Sequence, residues 1–209
     1  PKYNDTLAIM GMIPTNFNII DKKNILLFLG SDFHHVIYPV SSSEDLNLIA
    51  IMKYKLSAEE QKNYSLFSDK SFIQKILENI PQENKEFFYN LKELKIFPVF
   101  VSDNFFEVKN KNIHLIGDAF FAFPPSFAQG ASQSIEGAHE LFASIENNSN
   151  ANFFKNRVNK TKMVNNRSKL NQFAFHLSNP LAAYLRNIFL KKIVRNKKFL
   201  ESYLGKIYR

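Results

Sequence analysis

Short runs of apolar or alternating residues begin the chain and predict a β-sheet. They are rich in Ile, Leu, Phe and Tyr, and Asn, Asp, Gly and Ser separate them, which is typical of antiparallel strands joined by turns. The predicted strands cover residues 6–13, 25–29, 34–40 and 46–54. The polar segment 41–45 is predicted to be the hairpin connection between the last two strands.

The pattern then changes to a helical period. Apolar residues recur at helical spacing over residues 69–80, and Pro81 is expected to end that helix. A second helix is predicted over 82–92, and a strand over 96–101. Pro98 inside this strand indicates an edge position or a bulge, since proline cannot donate to a strand ladder.

The C-terminal half combines one short predicted strand with a series of helices. The apolar run 113–116 is predicted to be a strand that ends at a turn formed by Gly117 and Asp118. Beyond a loop rich in proline and phenylalanine, helices are predicted over residues 130–146, 150–177, 180–194 and 197–205.

The order of strand, acidic turn, rigid loop and helix start is typical of a segment that holds a cofactor. The carboxylate of Asp118 accepts hydrogen bonds, which suits a hydroxyl-rich partner such as a ribityl chain. The helix start at Gly130 presents free N–H groups and the positive end of the helix dipole. Pro124 and Pro125 stiffen the loop that joins the acidic turn to the helix start.

This segment resembles the second flavin-binding motif of the FAD-dependent aromatic-ring hydroxylases, in particular their salicylate-hydroxylase-like branch. That motif reads Gly-Asp-Ala, a short loop with proline, and Ala-Gln-Gly-Ala. The matching residues here are Gly117, Asp118, Ala119, Pro125, Ala128, Gln129, Gly130 and Ala131. The hairpin around His34–Val40 and the C-terminal segment around His176–Pro180 also resemble the corresponding parts of that branch.

The resemblance implies a role for each matching residue. Cofactor binding is expected from Gly117, Asp118, Pro125, Gln129, Gly130, Ala131 and Ser132. Within that set, Asp118 would bind the ribityl chain and Pro125 would line the flavin near its reactive face. The N–H groups of Gly130 to Ser132 would face the edge of the flavin that becomes anionic on reduction.

The same resemblance implies the catalytic residues and the reaction. His34, Tyr38 and Pro125 are the candidate catalytic residues; for His34, a purely structural role is the alternative. The implied enzyme is an FAD-dependent monooxygenase that hydroxylates a small aromatic substrate with O2 and with NADH or NADPH, through a flavin C4a-hydroperoxide. A quinone-biosynthesis hydroxylase of the same fold, and a non-catalytic remnant that acts as a binding module, are the alternatives.

Three departures from the pattern bear on this hypothesis. Phe120 and Phe121 stand where the family has Ala-His, which predicts a drier pocket, and Gly137 replaces an aspartate. The family's N-terminal Gly-x-Gly-x-x-Gly turn, which binds the ADP half of FAD, is also absent from this sequence. The chain is therefore expected to be the C-terminal part of a longer protein and to be inactive in isolation.

The implied fold class is α+β or α/β, the C-terminal part of a two-domain flavin monooxygenase fold. Residues 1–108 are expected to form a substrate-side domain with an antiparallel sheet and helices. Residues 109–177 are expected to form the FAD-binding segment, with a strand, the Gly-Asp turn and helices. Residues 178–209 would be C-terminal basic helices.

Charge is distributed unevenly along the chain. The net charge is +8, yet residues 151–209 contain 14 Lys or Arg and a single acid, Glu201. Such a segment is either a solvated helical face or a surface for peripheral contact with an anionic membrane. No RNA- or DNA-binding motif accompanies the charge, so a nucleic acid is not an expected partner.

Composition limits the remaining classes. The chain contains no cysteine, which excludes disulfides and thiolate metal sites, and the histidines lack metal-ligand spacing, so no metal is expected. No apolar run reaches the length of a membrane span, and nothing resembles a signal peptide, so a cytoplasmic location is expected. A homodimer is the assembly considered beside the monomer.

Overall fold

The structure is a computed structural model that describes residues 1–14, 24–40, 46–108, 110, 113–147 and 149–207, without the side chains of residues 150, 151 and 206. Two compact units are present. One contains residues 3–99, and the other contains residues 1–2 with the described part of 100–209. The three functional segments expected from the sequence stay a prediction.

The first unit is built on a five-stranded sheet. Its strands are β1 (Lys2–Ile13), β2 (Leu26–Gly30), β3 (Phe33–Pro39), β4 (Leu46–Lys53) and β5 (Lys92–Val101). They are arranged in the order β2-β3-β4-β1-β5, and the pairs β2–β3, β3–β4 and β1–β4 are antiparallel. β5 stands at the edge of this order, which confirms the edge position predicted from Pro98. The predicted hairpin connection 41–45 lies outside the described residues.

Two short helices accompany the sheet, α1 (Lys70–Glu78) and α2 (Lys85–Tyr89). Asp69 caps α1 by accepting a hydrogen bond from the Phe72 N–H at 2.9 Å, and this bond fixes where the helix begins. The pKa of Asp69 is lowered, first by the Ser71 hydroxyl and then by this backbone contact. The buried residues Phe72, Ile76 and Leu77 lie along α1 at the spacing predicted from the sequence.

The predicted helix over 82–92 is wrong in its extent. A 3₁₀ turn occupies Gln82–Asn84, and α2 has only five residues before β5 begins at Lys92. The Asn90 side-chain amide donates to the Glu86 carbonyl at 2.8 Å and thereby occupies a carbonyl that a longer helix would use. The chain then turns into β5, where Glu93 has a positive φ of 53°.

The second unit is helical, with α3 (Gly117–Phe120), α4 (Gly130–Glu146), α5 (Asn150–Phe175), α6 (Pro180–Ile193) and α7 (Lys197–Tyr203). The four long predicted helices correspond to α4 to α7, with ends that differ by up to two residues. The predicted strand at 113–116 is wrong. These residues have no strand ladder within the described chain, and Ile113 and Ile116 are exposed. A strand forms only where a neighbouring strand accepts its backbone hydrogen bonds.

Strand β3 places an unusual histidine in the core of the first unit. His35 is fully buried, and its ring stacks on Phe28 at 4.4 Å between centroids. Phe33, Phe87 and Phe88 contact the same ring at 5.6–5.7 Å. Neither ring nitrogen has a hydrogen-bond partner among the described residues. Burial therefore disfavours the charged form and lowers the pKa of His35 from 6.5 to about 4.

This lowered pKa predicts a pH dependence of stability. His35 binds a proton in the unfolded chain below pH 6.5 but in the folded protein only near pH 4, so its contribution is complete above pH 6.5 and is lost as pH falls toward 4. We expect the free energy of unfolding to fall by about 3 kcal/mol from this residue over that window. Urea unfolding at a series of pH values measures it.

His35→Leu provides the control, because leucine has a similar volume and does not titrate. Wild type and variant share every other acid-sensitive group, so their difference isolates His35. As pH falls from 6.5 to 4, the unfolding free energy of the variant should rise steadily relative to that of the wild type. A difference in unfolding free energy that stays constant over this range contradicts the prediction.

Candidate functional site

Gly117 begins α3 in a conformation and a space that favour glycine. Its φ is +60°, and a Cβ built on it would lie 2.8 Å from the Ser134 hydroxyl oxygen on α4. Ser134 itself donates to the Gly130 carbonyl at 2.9 Å, so its hydroxyl is held in place. A side chain at position 117 would therefore be strained and would push α3 away from α4.

Asp118 is the second residue of α3, not a turn residue at a strand end as the sequence predicted. Ile116 directly before the helix is extended, and the helix starts without a side-chain cap. The Asp118 side chain is exposed. A carboxylate in the first turn of a helix is favoured by the dipole, and its exposed oxygens are accessible to a hydroxyl-bearing ligand.

The loop after α3 forms a 3₁₀ turn over Pro125–Phe127, here named the proline turn. Pro125 is exposed, and Ala128 closes the turn in the left-handed region at φ +51°. The turn is also fixed from outside: the Asn171 amide donates to the Ser126 carbonyl at 3.3 Å, and the Phe127 ring contacts Tyr203 edge-on at 5.9 Å. These contacts tie the proline turn to α5 and α7.

Tyr203 links these contacts together. Its hydroxyl donates to the Asn171 side-chain oxygen at 3.1 Å, and the Arg167 guanidinium lies over its ring at 4.8 Å. Burial raises the pKa of the Tyr203 hydroxyl, and the nearby Arg167 charge partly opposes this shift. The phenol is therefore held neutral, as a hydrogen-bond donor behind the proline turn.

The start of α4 is open. Its first turn contains Gly130, Ala131 and Ser132, whose N–H groups have no acceptor within the helix. Gln129 occupies the N-cap position without making a side-chain cap, and its side chain is buried. Ala131 and Ser132 are exposed, and apart from the chain neighbours and the backbone of α4 itself, no atom lies within 4 Å of a Cβ built on Gly130. Such a terminus can accept an anionic or carbonyl group of a ligand.

Phe120 and Phe121, the departure from the family pattern, are core residues. Both are buried, and each contacts the ring of Phe105, at 5.7 and 4.7 Å between centroids. Phe120 also packs edge-on against Phe154 of α5 at 5.8 Å. Their aromatic character is therefore explained by packing between α3 and its neighbours.

A buried arginine, which sequence reasoning did not identify as functional, holds the cofactor-binding candidate helix. Arg157 on α5 is 3% exposed and donates to the Gln133 backbone carbonyl at 2.6 Å and to its side-chain oxygen at 2.8 Å. Its other terminal nitrogen lies 3.3 Å from Glu140 and 3.8 Å from Glu136. Lys160 adds an ion pair to Glu136 at 2.9 Å.

The contacts of Arg157 explain why position 137 is a glycine. A Cβ built on Gly137 would lie 3.2 Å from the Arg157 Nε, so a larger side chain would displace the guanidinium. The buried positions Phe153, Arg157, Thr161, Val164 and Ser168 lie at helical spacing along α5. Three of these five residues are polar, so no apolar pattern in the sequence marked Arg157 as buried.

The substrate-side candidates lie in the first unit, on one face of β3. Side chains alternate along a strand, so His34 and Tyr38 point away from the face that carries His35 and its phenylalanine contacts. His34 is 3% exposed, and Tyr38 is half-buried. The Asn47 amide on β4 donates to the Tyr38 hydroxyl oxygen at 2.7 Å, which directs the phenol's own proton elsewhere.

The predicted site residues thus form two sets. One set lies in a continuous segment of the second unit and consists of Gly117, Asp118, Pro125, Gln129, Gly130, Ala131 and Ser132. The other set is His34 and Tyr38, which share one face of strand β3 in the first unit. Within the described chain, no three His, Asp or Glu side chains are grouped closely enough to hold a metal ion. None of the described helices carries an apolar stretch of membrane-spanning length.

Solved structures provide the comparison. No protein-family model and no curated protein matches the sequence. Klebsiella pneumoniae HpxO complexed with FAD and uric acid superposes with a TM-score of 0.76 and 13% identity, covering 99% of this chain and 54% of HpxO. The 2,6-dihydroxypyridine-3-hydroxylase of Arthrobacter nicotinovorans gives a TM-score of 0.65 and 14% identity, covering 86% of this chain and 55% of that enzyme.

A salicylate hydroxylase in complex with substrate gives a TM-score of 0.62 and 16% identity, covering 92% of this chain and 54% of that enzyme. The fold is salicylate-hydroxylase-like. This confirms the predicted fold class and the family resemblance at the level of fold. The chain spans about half the length of the solved hydroxylases that it matches.

The contacts of Arg157 predict a large effect of its removal from this hydroxylase-like fold. Arg157→Met keeps the aliphatic stem but leaves two oxygens of Gln133 without their donor and removes the cation between two glutamates. We expect the free energy of unfolding to fall by about 3 kcal/mol. Chemical denaturation followed by circular dichroism measures this loss.

Arg195→Met is the matched control, because Arg195 is exposed. Its removal should change the unfolding free energy by less than about 0.5 kcal/mol. A loss for Arg157→Met no greater than that of the control would show that the buried guanidinium does not join α4 to α5.

Proposed function

We propose that the protein is an FAD-dependent monooxygenase that hydroxylates a small aromatic substrate with O2 and NADH or NADPH. The observation that carries the proposal is the segment from Gly117 to Ser132. It combines a glycine-dependent start of α3, an exposed carboxylate, a stiff proline turn and an uncapped helix N-terminus within a salicylate-hydroxylase-like fold.

The residues of this segment fit a flavin chemically. The exposed carboxylate of Asp118 would accept hydrogen bonds from the hydroxyls of the ribityl chain. The N–H groups of Gly130, Ala131 and Ser132 would donate to the pyrimidine edge of the ring system, where the helix dipole favours negative charge. FAD would supply the oxygen activation that no protein side chain provides.

Residues of each unit would have separate roles, with Pro125 of the second unit orienting the cofactor and with His34 and Tyr38 of the first unit orienting the substrate. Pro125, exposed on a turn that is fixed from two sides, would present a rigid apolar wall. On the substrate side, Tyr38 is held by Asn47 and would donate its proton to a polar substituent of the substrate. His34, on the same strand face, would hold a second polar position or exchange a proton with it.

Three fold neighbours support the proposed substrate class. HpxO was solved with uric acid, and two further neighbours are named for salicylate and a dihydroxypyridine, which are ring compounds with polar substituents. Tyr38 and His34 would provide hydrogen-bonding groups for such a ring. The cytoplasmic location and the homodimer stay predictions.

The test of this function begins with Asp118. Asp118→Ala in the full-length protein removes an acceptor of charge-assisted hydrogen bonds, which contribute roughly 1.5–3 kcal/mol each. FAD affinity should therefore fall about tenfold to a hundredfold. Titration of the apoprotein with FAD, followed by the quenching of flavin fluorescence, measures the loss. Asp118→Asn should lie between wild type and Asp118→Ala, because the amide keeps one acceptor oxygen.

His34→Ala is the contrasting variant. It should leave FAD affinity unchanged and lower the NAD(P)H oxidation that phenolic compounds stimulate. Unchanged FAD affinity in a folded Asp118→Ala protein would overturn the flavin assignment at this segment. A full-length protein that binds FAD but does not oxidise NAD(P)H with any phenol would instead favour the non-catalytic binding module, and stimulation by a prenylated phenol alone would favour the quinone-biosynthesis hydroxylase.

A further inference from the structure

Helix α6 exposes the apolar face that a soluble helix normally buries. Leu181, Tyr184, Leu185, Ile188 and Phe189 recur every three or four residues, and each is between 38% and 68% exposed. No residue of α6 is buried. The five side chains form a continuous stripe along one side of the helix, here named the α6 stripe.

The orientation of α6 is fixed by polar contacts on its other side. Arg186 donates to the carbonyls of Ala174 and Phe175 at 3.0 and 3.4 Å, at the C-terminal end of α5, where a cation is favoured. Partial burial lowers the pKa of this arginine. Asn179 caps the start of α6 by accepting from the Ala182 N–H at 3.0 Å. The helix is therefore well defined, and it is held with its apolar stripe directed outward.

Positive charge lies at the C-terminal end of the stripe. Lys191 and Lys192 are exposed in the last turn of α6, and Arg195, Lys197 and Lys198 follow as exposed residues. The sequence contains no acidic residue between Glu146 and Glu201. An apolar stripe with cations at one end and no acid matches a surface that combines hydrocarbon with negative charge.

We propose that the α6 stripe docks on an anionic membrane surface, with the helix lying in the plane of the interface. Leucine, isoleucine and phenylalanine would enter the boundary between headgroups and acyl chains, and Tyr184 would sit at headgroup level. The lysines would extend their ammonium groups to anionic headgroups while their stems stay on the apolar side.

The charges favour a membrane over the other occupants of such a stripe. Residues 151–209, which include the stripe, contain 14 Lys or Arg and one acid, so the two copies of a dimer formed through this segment would repel each other. A nucleic acid would satisfy the lysines but would leave five apolar side chains without an apolar partner. The membrane interface satisfies both parts of the surface at once.

Co-sedimentation with vesicles tests this proposal. The protein should sediment with vesicles of equal parts phosphatidylcholine and phosphatidylglycerol at least about tenfold more than with phosphatidylcholine alone, and rising salt should reduce the binding. Two double variants should each lower the affinity for anionic vesicles by at least about tenfold. One combines Leu185→Ser with Phe189→Ser, and the other combines Lys191→Glu with Lys192→Glu. Because these side chains are exposed, circular dichroism should show folded variants.

Matched controls use the first unit. Lys55→Glu with Lys62→Glu changes the net charge equally, and Tyr64→Ser removes an aromatic ring that is 75% exposed. Both control variants should bind like the wild type. An equal loss of vesicle binding in the lysine control variant would show that net charge alone causes the effect, and it would contradict the proposed docking surface.

A spectroscopic variant gives a direct readout, because the chain contains no tryptophan. Phe189→Trp places a single indole in the stripe, and its emission should shift to shorter wavelength with anionic vesicles. Tyr64→Trp should show no shift. The proposal would be overturned if the Phe189→Trp emission stayed unshifted while vesicles were bound. It would also be overturned by equal sedimentation with neutral and anionic lipid, or by a dimer that Leu185→Ser dissociates.

Discussion

The Arg157 guanidinium is the contact on which the arrangement of the helical unit depends. A buried cation is costly unless several acceptors surround it, and here the acceptors all come from one helix, α4. Gln133, which Arg157 holds, directly precedes Ser134, against which Gly117 packs. The ion pairs of Arg157 with α4 thus help to fix the position of Asp118 and of the open first turn of α4.

Alternation and helical spacing predicted most of the sheet and the long helices correctly, because those patterns record which face is buried. Pro98 indicated an edge strand for a purely local reason, its missing N–H. The failures have a different origin. Residues 113–116 looked like a strand by composition, but a strand requires a partner, which no local pattern contains. The helix over 82–92 was too long because the return of the chain to β5 is decided by the sheet.

The candidate site shows the same division. The positions of Asp118, Pro125 and Gly130 relative to one another depend on a continuous segment, and a sequence motif describes such a segment well. Arg157 and Tyr203 support that segment from 20 or more residues away in sequence, so only the folded chain brings them to it. His34 was selected because it matches a residue of the family's hairpin. Both His34 and its neighbour His35 are buried, and the ring nitrogens of His35 have no hydrogen-bond partner among the described residues.

Strand β5 carries a protection against aggregation. An edge strand exposes backbone groups to which a strand from another molecule can add. β5 interrupts that row with Pro98, which lacks a donor, and its first residues include Lys92, Glu93 and Lys95, whose charges would be desolvated by an added strand. Glu93 also bends the backbone through its positive φ. The same residues that mark the boundary of the sheet therefore keep it from being extended by another chain.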